Sequence, residues 1–298
     1  MKRKVWVWNH YASDTYFDKG GRHYNFVKYL KQSGYEPVVF ASNAKHGKAE
    51  TYFPDAGLWQ KHMADEIDIP FVFVRSRTYK GNGKQRALNM IDFYRNVKKT
   101  AREYAKLYGK PDIIYASSVH PLTLVAGIQM AKHFGVKCIC EVRDLWPESI
   151  VAYSKRFTKN HPLIKILYQG EKWIYKKADS LIFTMEGAYD YIVEQGWEKK
   201  IPRSKVHYIN NGVDLEAFQY NREHFQVDDP DLQNPDVFKV VYTGSIRKVN
   251  NLGALLDAAR LVTNPKVKFL IWGDGDERPA LEQRVIDEKI DNVVFKGK

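Results

Sequence analysis

Cysteine is scarce in this chain, and long apolar runs are missing. Two cysteines occur in 298 residues, Cys138 and Cys140. They are one residue apart in "VKCICEV", where strand alternation would point both to the same buried face. That arrangement argues against a disulfide or a metal site and fits a reducing compartment. No stretch approaches the roughly 18 uninterrupted apolar residues that a spanning helix needs. The basic start, "MKRKVWVWNH", has too short an apolar run for a signal-peptide core, and no small-residue cleavage site follows it. A soluble or peripheral protein is expected. GxGxxG, GxSxG, HExxH and GxxxxGK[ST] are all absent, which removes support for dinucleotide-dependent dehydrogenases, hydrolases, proteases and P-loop enzymes. Acidic residues are also short in one segment: residues 75–110 hold eleven Lys/Arg against Asp92 and Glu103, within a net charge of +12. Such a field attracts phosphorylated ligands, acidic lipid surfaces or nucleic acid, and by itself does not choose among them.

What is present is an alternation of strand-like runs and helix-period segments. "KVWVW" precedes a helix at 22–33, then "PVVFA", a polar loop with Pro54 and Gly57, "PFVFV" and the basic loop "RSRTYKGNGKQR". The next helix carries Leu88, Ile91, Tyr94, Val97, Ala101, Tyr104 and Tyr108 as one stripe. "PDIIYA", a helix at 122–134, "VKCICEV", helices at 162–177 and 187–195 flanking "DSLIFT", and "KVHYI" follow. This pattern predicts an α/β fold with a parallel sheet covered on both faces. From 213 to 238 the composition shifts, with two prolines and several Asp/Asn, and reads as a linker between a first domain (1–212) and a second (239–298). In the second, "KVVYTG", "VKFLIWG" and "NVVFKG" alternate with two helices. Three strands leave an open edge, so a truncated second domain is expected.

Ligands of open α/β sheets bind at the carboxyl ends of strands, where helix N-termini offer free N–H groups. Gly20 and Gly21 occupy such a place: either they let the backbone approach a phosphate or sugar, or they form a flexible turn. His120, in "SSVHPLT", follows a strand and precedes a helix, as a crevice residue or a structural one. Arg143 and Asp144, in "EVRDLWPES", face the crevice or pair with each other beside a core Trp146. Gly244, Arg247 and Lys248, in "YTGSIRKVNN", either stabilise a diphosphate leaving group or are a turn with solvated cations. Asp274-Gly275-Asp276 reads better as a turn than as a metal site.

These segments resemble a known family. "NHYASD…GGRHYNFVKYLKQSGYEPVVFAS", "TYKGNGKQRALNMIDF", "SSVHP", "EVRDLWPES", "YINNGVD", "YTGSIRK" and "FLIWGDGDE" follow in order the pattern of bacterial family 4 glycosyltransferases. These have the GT-B fold, two Rossmann-like domains facing a cleft. The chain looks closest to the O-antigen, capsule and exopolysaccharide branch. The resemblance implies a retaining transfer from a nucleotide-sugar donor to a lipid-linked oligosaccharide or polysaccharide acceptor, with no metal or other cofactor. It implies donor contacts at Gly20, Gly21, Gly244, Arg247, Lys248 and Gly273, with Arg22 as an anion contact and His120 near the reacting carbon. Acceptor contacts are expected at Tyr79, Lys80, Asn82, Lys84, Arg86, Arg143 and Asp144. Ser245 and Asn250 stand where relatives commonly carry Arg and Lys, and the family's Glu-x7-Glu pair would lie beyond Lys298, which would weaken donor binding or abolish the chemistry.

The basic segment suits an anionic lipid-borne acceptor at the inner face of the plasma membrane, and the lysine- and Trp-bearing stretch 153–177 suits a second surface anchor. Two rivals stand: a nucleotide-sugar 2-epimerase of the same fold, and a basic nucleic-acid-binding module. The second ranks last because base-stacking aromatics in an RRM- or OB-like pattern are missing.

Overall fold

The structure, a computed structural model, describes residues 2–54, 57–81, 83–154 and 156–297. It divides into two compact units, Met1–Asp214 and Leu215–Lys298.

The first unit runs β1 (Lys4–Trp8), α1 (Ser13–Phe17), α2 (Arg22–Gln32), β2 (Glu36–Ser42), β3 (Trp59–Ala64), β4 (Ile69–Val74), α3 (Lys84–Tyr108), β5 (Ile113–Ser117), α4 (Pro121–Phe134), β6 (Lys137–Val142), α5 (Glu148–Tyr153), α6 (Pro162–Lys177), β7 (Ser180–Phe183), α7 (Ala188–Glu194) and β8 (Val206–Tyr208). Its eight strands lie in the order β3-β4-β2-β1-β5-β6-β7-β8. All neighbours are parallel except the edge pair β3 and β4.

Strand β1 shows why both faces are covered. Trp6 and Trp8 join one core with Phe40, Phe93 and Tyr104, while Val5 and Val7 join the opposite core with Val27, Phe71 and Phe73. A side-chain period of two sends alternate residues to opposite faces, and an apolar residue at every position requires helices on each. Trp6 and Trp8 are fully buried; truncating either to Ala costs about 3–5 kcal/mol. Cys138 and Cys140 are both buried and free, with Sγ atoms 3.8 Å apart.

The second unit holds α8 (Leu215–His224), α9 (Pro230–Gln233), β9 (Phe238–Thr243), α10 (Leu252–Leu261), β10 (Val267–Trp272), α11 (Arg278–Asp287) and β11 (Val293–Gly297). Its parallel sheet has the order β11-β10-β9. The stretch 213–238, read from composition as a linker, thus carries two helices. Asp229 caps α9 by accepting from the amides of Asp231 and Leu232, and both aspartates hold Lys296.

No helix among the described residues is long and apolar enough to cross a membrane.

Candidate active site

Two connected clusters occupy the carboxyl end of the first unit's sheet. One is built around Glu141, near the end of β6 and fully buried. Its Oε1 accepts from Arg22 Nε at 2.7 Å and Tyr115 Oη at 2.6 Å, and its Oε2 accepts from Ser117 Oγ at 2.6 Å. Ser117 in turn accepts from Asn9 Nδ2 at 3.0 Å and pairs with His23 Nε2 at 2.9 Å. Burial pushes the Glu141 pKa up, but the Arg22 guanidinium, the neighbouring His23 and the hydroxyls of Ser117 and Tyr115 outweigh it and hold the carboxyl below its usual value. Glu141 is therefore ionised in a dry site, which only such a ring of donors permits.

Arg22 is where this differs from the sequence expectation. Its guanidinium donates to Glu141, to the carbonyls of Ile209 at 2.9 Å and Asn210 at 2.8 Å, and to Asn211 Oδ1 at 3.3 Å. Its donors are spent on protein acceptors, so the anion-contact assignment for Arg22 is corrected to a structural one. The segment "YINNGVD" supplies those carbonyls, and Lys28 adds an ion pair to Asp214 at 2.8 Å. Gly21 N-caps α2 with φ +85°, a conformation that disfavours any residue with a Cβ. It is exposed and makes no side-chain cap, which leaves the first amides of α2 open, and Gly20 beside it is half-exposed.

The second cluster gathers at the ends of β1, β2, β4 and β5. His120 ends the β5 loop and starts α4, which carries Pro121 at its first turn. Its Nε2 lies 2.6 Å from His10 Nδ1, and His10 stacks on Phe93 with centroids 4.4 Å apart. The His120 ring is 1% exposed, so it stands inside the unit. Burial first, and the Arg86 charge second, lower its pKa to about 3. His10 is lowered too, by burial and then by His120. Both rings are neutral, and His120 Nδ1 and His10 Nε2 have no partner among the described residues. Around them Tyr79 Oη meets His46 Nδ1 at 3.0 Å and donates to Tyr11 Oη at 3.2 Å, which also accepts from Arg86 Nε at 3.4 Å. Tyr11 stacks on His46.

Of the expected acceptor residues, Tyr79 and Arg86 join this cluster, with Tyr79 buried and Arg86 half-buried. Lys80 and Lys84 are exposed at the start of α3, and Asn82 lies outside the described residues. Arg143 is half-buried, its amide donating to Ser118 Oγ at 3.0 Å. Asp144 is exposed, with no ion pair to Arg143 among the described residues, and the half-buried Trp146 lines a neighbouring cavity.

In the second unit Gly244, Arg247 and Lys248 are exposed between β9 and α10, and neither cation has a side-chain partner among the described residues. Ser245 Oγ and Asn250 Oδ1 bond to each other at 3.3 Å. A Cβ at Gly273 would meet the Gly244 carbonyl oxygen, so glycine there lets the two strand-end loops touch. Asp274 Oδ1 accepts from the Gly275 amide at 2.8 Å, as a turn.

Asn9 and His10 in "NHYASD" and Glu141 in "EVRDLWPES" lie within the family-like segments, but the sequence assigns them no role. The available signal was Glu141 itself, an acid in the middle of the apolar run "CICEV", because a buried carboxylate needs partners. Nothing comparable marks His10.

No match to the sequence is found among curated proteins. Among solved structures, the chain is similar to Anabaena Alr3699/HepE in complex with UDP and glucose, with TM-score 0.58, 15% identity, and 99% of this chain and 69% of that one covered. It is also similar to an α,α-trehalose-phosphate synthase (UDP-forming) from Burkholderia vietnamiensis, with TM-score 0.60, 14% identity, and 99% and 72% coverage. At these identities the likeness concerns the fold, an α/β GT-B architecture of Rossmann-like units. The family model described as Glycosyltransferase Family 4 matches residues 22–217, from the first residue of α2 through the segment that anchors Arg22. With well over half of its length matched, the chain belongs to glycosyltransferase family 4.

Proposed function

We propose that the protein is a retaining glycosyltransferase that moves a sugar from a nucleotide-sugar donor to a lipid-linked or polysaccharide acceptor. In this reading it serves the O-antigen, capsule and exopolysaccharide branch, at the cytoplasmic face of the membrane. The observation that carries it is that, within one family 4 unit, an open helix start at Gly21 after β1 and the His10–His120 pair after β1 and β5 both lie at the carboxyl end of the sheet. Open amides and the helix dipole favour a diphosphate. The neutral His120 would hydrogen-bond the sugar through Nδ1 without adding a charge. Its burial means that the surrounding loops must part on donor binding. Arg247 and Lys248, exposed and without side-chain partners among the described residues, are the cations assigned to the growing charge of the leaving diphosphate, with no metal required. Lys80, Lys84 and Arg86 are assigned to an anionic acceptor. UDP or UDP-glucose bound to HepE makes UDP-sugars the first donors to try.

The test is turnover of a labelled UDP-sugar with and without a polyprenyl-phosphate-linked acceptor, with the product's anomeric configuration read by NMR. Transfer with retention is expected. Conversion of the nucleotide sugar to its epimer without acceptor would instead favour the epimerase rival. His120→Gln should lower kcat about a hundredfold, as loss of one positioned hydrogen-bonding group does, and unchanged turnover would remove His120 from the mechanism.

A further inference from the structure

A second concavity in the first unit has a different chemistry. It has a volume of about 400 Å³, and Leu122, Val125, Trp146, Leu167, Trp173 and Ile174 are among its walls. This size lies within the roughly 300–1,000 Å³ of small-ligand sites. Its polar neighbours are engaged: Gln129 Oε1 accepts from Tyr94 Oη and Lys98 Nζ, both at 3.0 Å, and Glu171 accepts from Tyr175 Oη at 2.6 Å and Tyr191 Oη at 2.7 Å.

We propose that this cavity takes the first stretch of the apolar chain of a phosphate-bearing lipid acceptor. The inference rests on the transferase reading and narrows its acceptor to the lipid-linked class. Three observations choose a chain. First, the cavity continues into an exposed apolar stripe on α6: Leu163, Ile166 and Trp173 are 47%, 67% and 39% exposed, and Gly170 between them lines the cavity. Their spacing puts them on one helix face. A compact ring ligand would fill the cavity and leave this stripe wet, whereas a chain uses both. Second, α6 carries Lys165, Lys172, Lys176 and Lys177 against one acid, Glu171, which is turned inward and buried. An apolar face flanked by lysines complements an anionic amphiphile. Third, Ser118 and Pro121 of the His120 loop and Asp144 after β6 border the cavity. A chain seated there has its head at the strand ends that hold His120 and Arg143.

Gly170 provides the test. A Cβ built on it meets nothing within 4 Å, so the side chain of Gly170→Leu starts in open space at the cavity wall, and the change replaces a poor helix former with a good one. Farnesyl phosphate, below its aggregation concentration, is titrated into the full chain by calorimetry, with inorganic phosphate as the head-only control. Wild type should bind farnesyl phosphate saturably at one site and not bind inorganic phosphate. Gly170→Leu should bind at least tenfold more weakly, with an unchanged or higher melting temperature. Leu122→Trp, from the α4 side, should give the same loss. No saturable binding by wild type, or a Gly170→Leu variant that binds as tightly, overturns the proposal. Binding without any sugar transfer would overturn the transferase reading alone, and transfer with unaltered Gly170→Leu binding would overturn the cavity assignment alone.

Discussion

Glu141, fully buried, accepts from Arg22, Tyr115 and Ser117 at once. Arg22 and Glu141 lie 2.6 Å apart with side chains 6% and 0% exposed. Removing one member of a buried pair strands the other charge, which costs about 3–5 kcal/mol, whereas replacing both by apolar groups is often nearly neutral. Glu141→Ala should therefore lower the unfolding free energy by about that amount in urea titration. Arg22→Met combined with Glu141→Leu should recover most of it. A double variant as unstable as the sum of the singles would show that the network contributes through Tyr115, Ser117 and His23 rather than through the charge pair. Gly21 needed only local chemistry to be noticed. Arg22 next to it did not reveal its partners, because they arrive from residues 141 and 209–211.

At the scale of elements, α6 joins an inward carboxyl to an outward apolar stripe. Burial is the main cause that pushes Glu171 up to about 7; the Tyr175 and Tyr191 hydroxyls pull it down, and Glu148 adds to the rise. The unfolded chain releases this proton near the ordinary value of 4.5. Between that value and about pH 7 the folded state holds a proton that the unfolded state has lost, so stability from this group is complete at the acid end and falls as pH rises. The loss is on the order of 3 kcal/mol. Glu171→Gln has no such proton, so the stability of wild type relative to the variant should fall by a few kcal/mol from pH 4.5 to 7.5 in urea titrations. His23, held neutral by burial with a pKa of about 4, has the opposite slope and cancels in the comparison. A pH-independent difference would show that Glu171 titrates normally.

Elements also mark where local pattern misled. Strand β3 reads "WQKHMA" and shows no strand pattern in the sequence, because an edge strand half open to solvent lacks an apolar face and gains its order from pairing with β4. In α3 the buried residues are Asn89, Phe93, Val97, Thr100, Ala101 and Tyr104. The stripe read from the sequence therefore drifts at its start, where the buried Asn89 donates to the Arg77 carbonyl at 2.5 Å. A polar residue satisfied by backbone is invisible to a search for apolar spacing.

For the whole molecule, the charge of +12 and the basic run on and before α3 bear on the membrane part of the proposed function. Adsorption to phosphatidylglycerol vesicles should weaken more than tenfold between 0.1 and 0.5 M NaCl, as screening shortens the reach of surface charge. Each nearby lysine contributes about 1 kcal/mol, so the K80A/K84A pair should lose about thirtyfold in vesicle affinity in sedimentation assays. Adsorption insensitive to salt would point to the apolar stripe of α6 as the sole anchor.

The sequence alone determined the α/β alternation, the covered parallel sheet of the first unit and the family. Period-two and helical spacings, strand-end glycines and motif order are local properties, legible wherever the chain goes. Only tertiary structure decided that Arg22 is spent on Glu141, that His120 stands inside against His10, and that α4 and α6 leave an apolar cavity beside Trp146. Each of these joins side chains that meet only because strands distant in sequence lie side by side in the sheet, and a one-dimensional pattern does not specify which strands pair.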